Sequence, residues 1–330
     1  TGTSTSTPAS MRRPSLCAAR KSVDEFELIR RYFVRANEDD GVITGIGDDG
    51  AVLRPNSNLD LVIVVDTLVE GIHFPADSDA ADIAYRAVAV NLSDIAAMGA
   101  RPRWMTLALT LSKADEAWLD AFATGLFDAA SEHDVVLVGG DMTSGEKTVV
   151  SVQITGEVGR DAAILRSGAS PGDTIYLTGT VGDAAAALEL MSAGQSDSYL
   201  QNRFRRPSAR VNYGRLLGGV ASAAIDVSDG LFGDLGKLLA ASNVGAELDL
   251  RKLPLSEALQ AKFDPESQRR LALSGGDDYE LCFTTASASL PDAGDLRVTA
   301  IGQVTSGGSL VCRDESGVVD YHDSGYLHFQ

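Results

Sequence analysis

AADIAYRAVAVNLSDIAAM, residues Ala80 to Met98, sets the frame for everything around it. Ile83, Ala87, Val88, Leu92, Ile95 and Met98 recur at helical spacing, so the stretch reads as one long amphipathic helix. Asn91 and Asp94, three residues apart, share a face of it. Working outward, Leu59 to Val65 is a β-rich run ending at Asp66, and Trp104 to Leu111 reads as a strand. Asp115 to Glu132 is a second helix with Trp118, Phe122 and Leu126 turned inward. Val135 to Val138 is a strand delivering Gly139-Gly140-Asp141, and Val149 to Val158 is another. Nearer the N-terminus, Asp24 to Phe33 is helical, with Phe26, Leu28, Ile29 and Phe33 as its apolar face. Strands mixed with two long helices make a layered α+β arrangement, with a boundary expected near Gly156 to Asp161.

The second half enters through the turn-rich LRSGASPGD, Leu165 to Asp173, into a strand over Thr174 to Thr178. An alanine-rich helix spans Gly182 to Ala193, and Pro207 opens another that runs through Leu217. Ala223 to Asp226 is a strand whose VSDG loop leads directly into a helix over Leu231 to Ala241. Strands are expected over Val244 to Leu250 and Tyr279 to Thr284, with a hairpin of Val298 to Val304 and Leu310 to Cys312 around Ser306-Gly307-Gly308. The overall expectation is an α/β (α+β) protein of two domains.

The chain has 330 residues, enough for two separate cores. No apolar run reaches the ~18 residues of a membrane span. A net charge of -18 repels nucleic acid and anionic membranes, which excludes both as partners. Cys17, Cys282 and Cys312 are widely separated, and four histidines are scattered; this argues against a disulfide framework or a zinc site and fits a reducing cytoplasm. Residues 1–22 read as a disordered Ser/Thr/Pro-rich extension, with Met11 inside it.

Short aspartate-bearing loops hang on the apolar runs: GIGDDG (Gly45 to Gly50), VVDT (Val64 to Thr67), NLSD (Asn91 to Asp94), GGD (Gly139 to Asp141), IDVSD (Ile225 to Asp229) and SGGDD (Ser274 to Asp278). One would be an ordinary turn. Six suggest carboxylates converging around a cation. Hard, oxygen-seeking Mg²⁺ suits such a set, and Mg²⁺ usually brings a phosphate.

Each motif also has a plainer reading. GIGDDG matches G-x-G-x-x-G, but Pro55 and a strand follow where a dinucleotide loop should open a helix. The nearest approach to a P-loop, Gly230 to Leu238, has the wrong spacing, and there is no kinase catalytic loop. Asp66 fits a turn or cap, Asp94 a solvated helix position, and Ser228 or Asp229 the cap of the helix that follows. Arg166 fits a surface arginine, His73 a packed histidine and Tyr326 a core aromatic.

Taken together, GIGDDGAVL, VVDTLVEGIHF, AVNLSDIAAMGARP, VGGDMTSG, LRSGASPGD, YLTGTVGDAAAAL, IDVSDGLFGDL, LSGGDDYELCF and GYLHF resemble thiamine-monophosphate kinase from about Phe26 onward. The wider superfamily includes aminoimidazole ribonucleotide synthetase and selenophosphate synthetase. The resemblance implies an N-terminal α/β domain, residues 23–158, that binds ATP and Mg²⁺ and whose sheet pairs across a homodimer to form a barrel. It implies a C-terminal α/β domain over residues 159–330. ATP would lie in a cleft between them, held through several Mg²⁺ ions. By motif position, Asp48, Asp66, Asp94, Asp141, Asp226 and Asp229 would be metal ligands. Gly140, Asp141, Arg166 and Ser228 would contact ATP, and His73, Asp277 and Tyr326 would face thiamine monophosphate. Asp94, Asp226 and Arg166 would carry the catalysis. The family often has Glu in place of Asp277, and Val64 and Val65 stand where others have small hydroxylated residues.

The implied reaction is direct transfer of the γ-phosphoryl of ATP onto thiamine monophosphate. The acceptor oxygen is already ionised near neutrality, which fits a chain without an obvious catalytic base. A selenophosphate synthetase would want a reactive Cys in a Gly-rich segment, and the SLCAAR around Cys17 does not look like one. An aminoimidazole ribonucleotide synthetase would use a different substrate. A scaffold would bind ATP without turnover.

Overall fold

The computed structural model describes residues 1–2, 25–35 and 39–322. Residues 3–22 of the expected N-terminal extension, Cys17 among them, and Tyr326 fall outside them. The first unit is built on a four-stranded sheet of β3 (Leu59–Val69), β4 (Arg101–Leu111), β5 (Val136–Ser144) and β6 (Val149–Gly159). Its order is β3-β6-β4-β5, with β4 and β5 parallel and the other pairs antiparallel. Helices α2 (Ala80–Ala97) and α3 (Glu116–Ser131) cover one face. Asp79 and Asp115 cap them, each accepting a bond from a first-turn amide. A short helix α1 (Glu25–Tyr32) and a small ribbon of β1 (Val42–Thr44) and β2 (Val52–Leu53) precede this layer.

The second unit is a seven-stranded mixed sheet, ordered β13-β12-β9-β11-β7-β10-β8. Its strands are β7 (Thr174–Thr178), β8 (Ala223–Asp226), β9 (Gly245–Asp249), β10 (Leu281–Thr285), β11 (Val298–Thr305), β12 (Leu310–Asp314) and β13 (Gly317–Val319). Helices α4 (Asp183–Ser192), α5 (Ser198–Arg205), α6 (Val211–Leu216), α7 (Leu231–Ser242), α8 (Glu257–Lys262) and α9 (Pro265–Ser274) surround it. The mixed α/β expectation is met.

α2 is the seam between the two units. It packs on α3, β3 and β6 on one side and on α6, β8 and β10 on the other. Ala224, Leu281 and Phe283 of the second sheet accordingly share a core with Ile95, Ile154 and Phe122 of the first. Close approach needs glycine: a Cβ on Gly214 of α6 would stand 2.1 Å from the Ala96 carbonyl oxygen of α2.

Several elements differ from the sequence reading. β3 does not stop at Asp66 but continues to Val69, because it pairs residue for residue with β6 as far as Val69 opposite Val149. β5 likewise carries Gly139-Gly140-Asp141 inside the strand rather than after it. Pro207 opens no helix; it lies in the link between α5 and α6. α5, α8 and α9 are helices that the sequence reading does not anticipate. The hairpin of β11 with β12 does not form, because β9 lies between them and pairs with both. Phe26 points outward from α1 while Leu28 and Phe33 are buried.

Phe122 is fully buried and stacks on Trp118 with ring centroids 4.9 Å apart. Phe122→Ala is expected to cost about 3–5 kcal/mol of unfolding free energy in urea denaturation, the usual cost of deleting a buried aromatic ring.

Candidate functional site

Four segments from both units converge. α2 carries Ser93 and Asp94, β3 carries Asp66, β8 ends at Asp226, and the following loop carries Ser228 and Asp229. The Ser93 hydroxyl donates to Asp226 Oδ2 at 2.8 Å across the seam, fixing the end of β8 against α2. The Asp226 carboxyl is buried, and Asp66 and Asp94 are half-buried. Burial raises the Asp94 carboxyl to about 8, with the Asp226 and Asp66 charges adding to the rise and Arg166 opposing it. Burial raises Asp226 to about 7, against the Ser93 hydrogen bond, with Asp234 and Asp66 adding. Asp66 is raised by burial and then by Asp229, while a hydrogen bond from the Asp94 carboxyl holds it down. Asp94 and Asp226 therefore favour their protonated forms near neutrality, where ordinary aspartates are ionised.

Arg166 is exposed on the loop before β7, within electrostatic reach of Asp94 and Asp226. Its carbonyl accepts from the Ser242 hydroxyl at 3.0 Å. Asp229 is ion-paired to Lys237 at 2.6 Å. Lys237 also holds Asp234 at 2.8 Å, and the Asp234 carboxylate accepts from the amides of Ser228 and Asp229, both at 2.9 Å. Asp234 thus shapes the VSDG loop from below, and neither Ser228 nor Asp229 caps α7, whose N-cap is Gly230 with no side-chain cap bond.

Ser228 is laced to the SGGDD turn. Its carbonyl accepts from the Asp277 amide at 2.8 Å, and the Val227 carbonyl accepts from the Tyr279 amide at 2.8 Å. The approach is so close that a Cβ on Gly276 would stand 2.3 Å from the Ser228 oxygen. Asp277 and Tyr279 both sit at positive φ, 70° and 52°. Such conformations cost roughly 1–3 kcal/mol each in a non-glycine residue and persist only where the surroundings enforce them. Here they aim Asp277 at buried Arg86 of α2, which pairs with it, while the Tyr279 hydroxyl donates to Asp277 Oδ1 at 3.1 Å. Arg86 is also sandwiched by the Phe204 and Tyr279 rings, 4.4 and 5.6 Å from their centroids. The sequence reading missed Arg86. Its signal was a single cation inside an otherwise apolar helical stretch.

Four further predicted site residues lie outside α2, β8 and the VSDG loop. Asp48 is exposed, its Oδ1 accepting from the neighbouring Asp49 amide at 2.9 Å. Asp141 is exposed on β5, beside Gly140. Neither is among the principal groups perturbing Asp66, Asp94 or Asp226. Gly140 must be glycine, because a Cβ there would overlap the Leu107 carbonyl oxygen at 1.9 Å. His73, after β3, accepts the Val69 amide at 3.0 Å through Nδ1, which leaves Nε2 as the protonated nitrogen of its neutral form.

Among the described residues, no three carboxylate, imidazole or thiolate groups form a closed metal cage. The donors that do converge are all oxygens, and their raised protonation marks a place where positive charge is wanted. That combination fits Mg²⁺, which usually takes one or two carboxylates and completes its shell with water and substrate phosphates.

The chain matches the family models described as AIR synthase related protein, N-terminal domain over residues 47–158 and C-terminal domain over residues 170–315. This places the fold and the acidic seam among the AIR synthase related proteins. Within that class, a thiamine-monophosphate kinase of Escherichia coli K12 is 49% identical over 322 residues, covering 92% of this chain and 98% of that one. The crystal structure of a thiamine-monophosphate kinase from Stenotrophomonas maltophilia K279a is 45% identical with a TM-score of 0.80, covering 86% of this chain and 93% of that one. A solved structure of AaThiL complexed with AMPPCP and TMP is 31% identical with a TM-score of 0.75, covering 86% and 92%. The chain belongs to the thiamine-monophosphate kinase family.

The raised carboxyls give a pH signature. Asp94 and Asp226 bind their protons more tightly folded than unfolded, where an aspartate titrates near about 4. Their contribution to stability is full below that pH and is lost as pH rises through about 7 and 8. In EDTA-treated protein, thermal unfolding scans should show Asp94→Asn gaining stability relative to wild type as pH goes from 5 to 9. Parallel curves would refute the assignment.

Proposed function

We propose that this chain transfers the γ-phosphoryl group of ATP to the phosphate of thiamine monophosphate, giving thiamine diphosphate and ADP in thiamine diphosphate biosynthesis. The observation that carries this reading is the joining of Asp66 and Asp94 of the first unit to Asp226 of the second across the α2 seam. The bond that forms is from an acceptor phosphate oxygen to Pγ; the bond that breaks is from Pγ to the bridging oxygen that leaves with ADP. The acceptor oxygen is ionised near neutrality, so no protein base has to remove a proton. Accordingly, the buried seam offers carboxyls whose task is to hold positive charge.

Asp48, Asp66, Asp94, Asp141, Asp226 and Asp229 would hold Mg²⁺, which supplies neutralisation of phosphate charge as it builds in line. Asp229 would exchange its Lys237 partner for the cation. Gly140, Asp141 and Ser228 would meet the nucleotide, with the glycine letting backbone N–H groups approach phosphate closely. Arg166 would add its fork of donors to the transferring group. His73, Asp277 and Tyr326 would face the thiamine phosphate, with Arg86 and Tyr279 holding the Asp277 carboxylate in place. The relative complexed with AMPPCP and TMP supports both substrates.

The proposal extends to organisation. Residues 23–158 form the ATP- and Mg²⁺-binding and dimerisation domain, and 159–330 the second α/β domain. Leu61, Ile63 and Val65 present an apolar stripe on β3, at 44, 65 and 64% exposure, and β3 is an edge strand. An apolar edge of this kind calls for a partner strand, and a second copy of the same sheet would close a barrel. The buried, unpaired Cys282 and Cys312 suit a cytoplasmic enzyme.

Purified protein with ATP, Mg²⁺ and thiamine monophosphate should form thiamine diphosphate and ADP in equal amounts, resolved by chromatography, with EDTA abolishing both. Asp226→Asn should lower turnover by at least about a hundredfold while leaving the circular dichroism spectrum intact, since it removes a charge placed for the transition state. Near-wild-type turnover in that variant would count against the seam as the reacting centre. Ile63→Glu should shift the sedimentation profile from dimer to monomer; a wild-type monomer would contradict the barrel.

A further inference from the structure

A second feature lies at the same end of the large sheet as Asp226 but involves none of the residues assigned above. The C-terminal end of β7 and the N-terminal ends of β10 and β11 meet there, β10 lying directly beside β8 and β7 and β11 one and two strands further out. At the usual strand spacing β7 and β11 stand roughly 10–14 Å from β8, while the Glu280 carbonyl accepts from the Val227 amide at 2.8 Å, next to Asp226. A cavity of about 370 Å³ opens beside them, and its lining includes Tyr199, Arg203, Arg210, Glu280, Asp295 and Arg297. Three guanidinium groups and two carboxylates line it, with the buried Asp183 carboxylate 3.7 Å from Arg203 Nε behind them.

The cavity is built rather than incidental. Glu280 is fully buried and accepts from Arg203 Nη2 at 2.8 Å and from Arg210 Nε at 2.7 Å. Gly179, at φ 57°, makes room for it: a Cβ there would stand 2.0 Å from Glu280 Oε1. Arg203 is itself more than nine-tenths buried, and its Nε has no hydrogen-bond partner. Among the described residues no hydrogen bond uses the Nη1 of Arg203 or of Arg210. Arg297 is exposed at the mouth; its carbonyl accepts from the Gly179 amide at 2.8 Å, and its guanidinium makes no ion pair or hydrogen bond within the same residues.

Holding α5 and the start of α6 against β10 accounts for Arg203, Arg210 and Glu280 as a buried ion network. It does not account for Arg297, or for two further guanidinium edges left over beside it. Guanidinium groups with unused donors around one cavity are the usual recognition set for a tetrahedral oxyanion. We propose that this cavity is a second anion site, separate from the acidic seam, that takes a phosphate or pyrophosphate group directly on Arg203, Arg210 and Arg297 without a bridging cation. Arg203 also donates to the Asp278 carbonyl at 3.2 Å, inside the turn that positions Asp277. An anion held here therefore sits one side chain from the turn that carries the substrate-facing carboxylate.

The test is calorimetric titration of orthophosphate, and separately pyrophosphate, into the full chain in EDTA, where no cation is present to recruit anions to the acidic seam. Wild type should bind, and Arg297→Gln should weaken binding at least about tenfold through loss of a charge-assisted contact. Arg297 is exposed and unpaired, so that variant should fold normally. Arg210→Gln should weaken binding as well, although it also strips Glu280 of a partner. Asp94→Asn should bind phosphate as wild type does even though it is expected to lose turnover, which separates this site from the reacting centre. No binding up to about 10 mM, weaker than any useful affinity, would overturn the proposal. So would unchanged affinity in Arg297→Gln, or loss of phosphate binding in Asp94→Asn.

Discussion

Burying Asp94 and Asp226 close to Asp66 is the constraint on which the rest of the structure depends. Ionised carboxylates removed from water and set beside one another are unfavourable twice over, through desolvation and through repulsion. The chain tolerates this by protonation, by the Ser93 hydroxyl and by the Arg166 charge. Each of these is a weak substitute for a divalent cation. Asp94 and Asp226 therefore favour positive charge beside them at neutral pH. A site of that kind can draw a polyphosphate into a protein of strongly negative net charge, because the cation and not the protein supplies the attraction.

The backbone around the seam is organised to the same end. The VSDG loop is fixed from below by Asp234 and from the side by the SGGDD turn, which ties Ser228, Asp229 and Asp277 to one another through the backbone. Two positive-φ residues within three positions are a local cost, offset by the Arg86 pair and by amide bonds to carbonyls of the neighbouring loop. Lys237 has a related role. It gives Asp229 a counter-charge without ordering it irreversibly, since an exposed ammonium is readily displaced.

Much of this could be read from the sequence. The long α2 helix, its apolar face and the ends of β7 and β8 follow directly from periodicity and turn residues. The six aspartate-bearing loops also suggest converging carboxylates; Asp66, Asp94 and Asp226 come within electrostatic reach of one another, while Asp48 and Asp141 are exposed on other elements. What could not be read came from long-range pairing. The insertion of β9 between β11 and β12 depends on a strand more than fifty residues away, while the Ser-Gly-Gly turn between them looks locally like a hairpin. The continuation of β3 past Asp66 is set by its partner β6, and α8 and α9 are short helices whose apolar faces are too brief to give a clear period. Arg86 escaped notice because helical pattern reading treats a lone cation as an interruption rather than as a partner for a distant turn.

The raised protonation of Asp94 and Asp226 near neutral pH is open to direct measurement. Calorimetric titration of Mg²⁺ with a non-hydrolysable ATP analogue, at pH 7 in buffers of differing ionisation enthalpy, measures the protons exchanged on binding. With Asp94 raised to about 8 and Asp226 to about 7, binding should release on the order of one proton per site, and Asp94→Asn should reduce that release. Binding with no net proton release in wild type would mean that the carboxyls are already ionised, and that the seam is not built as described.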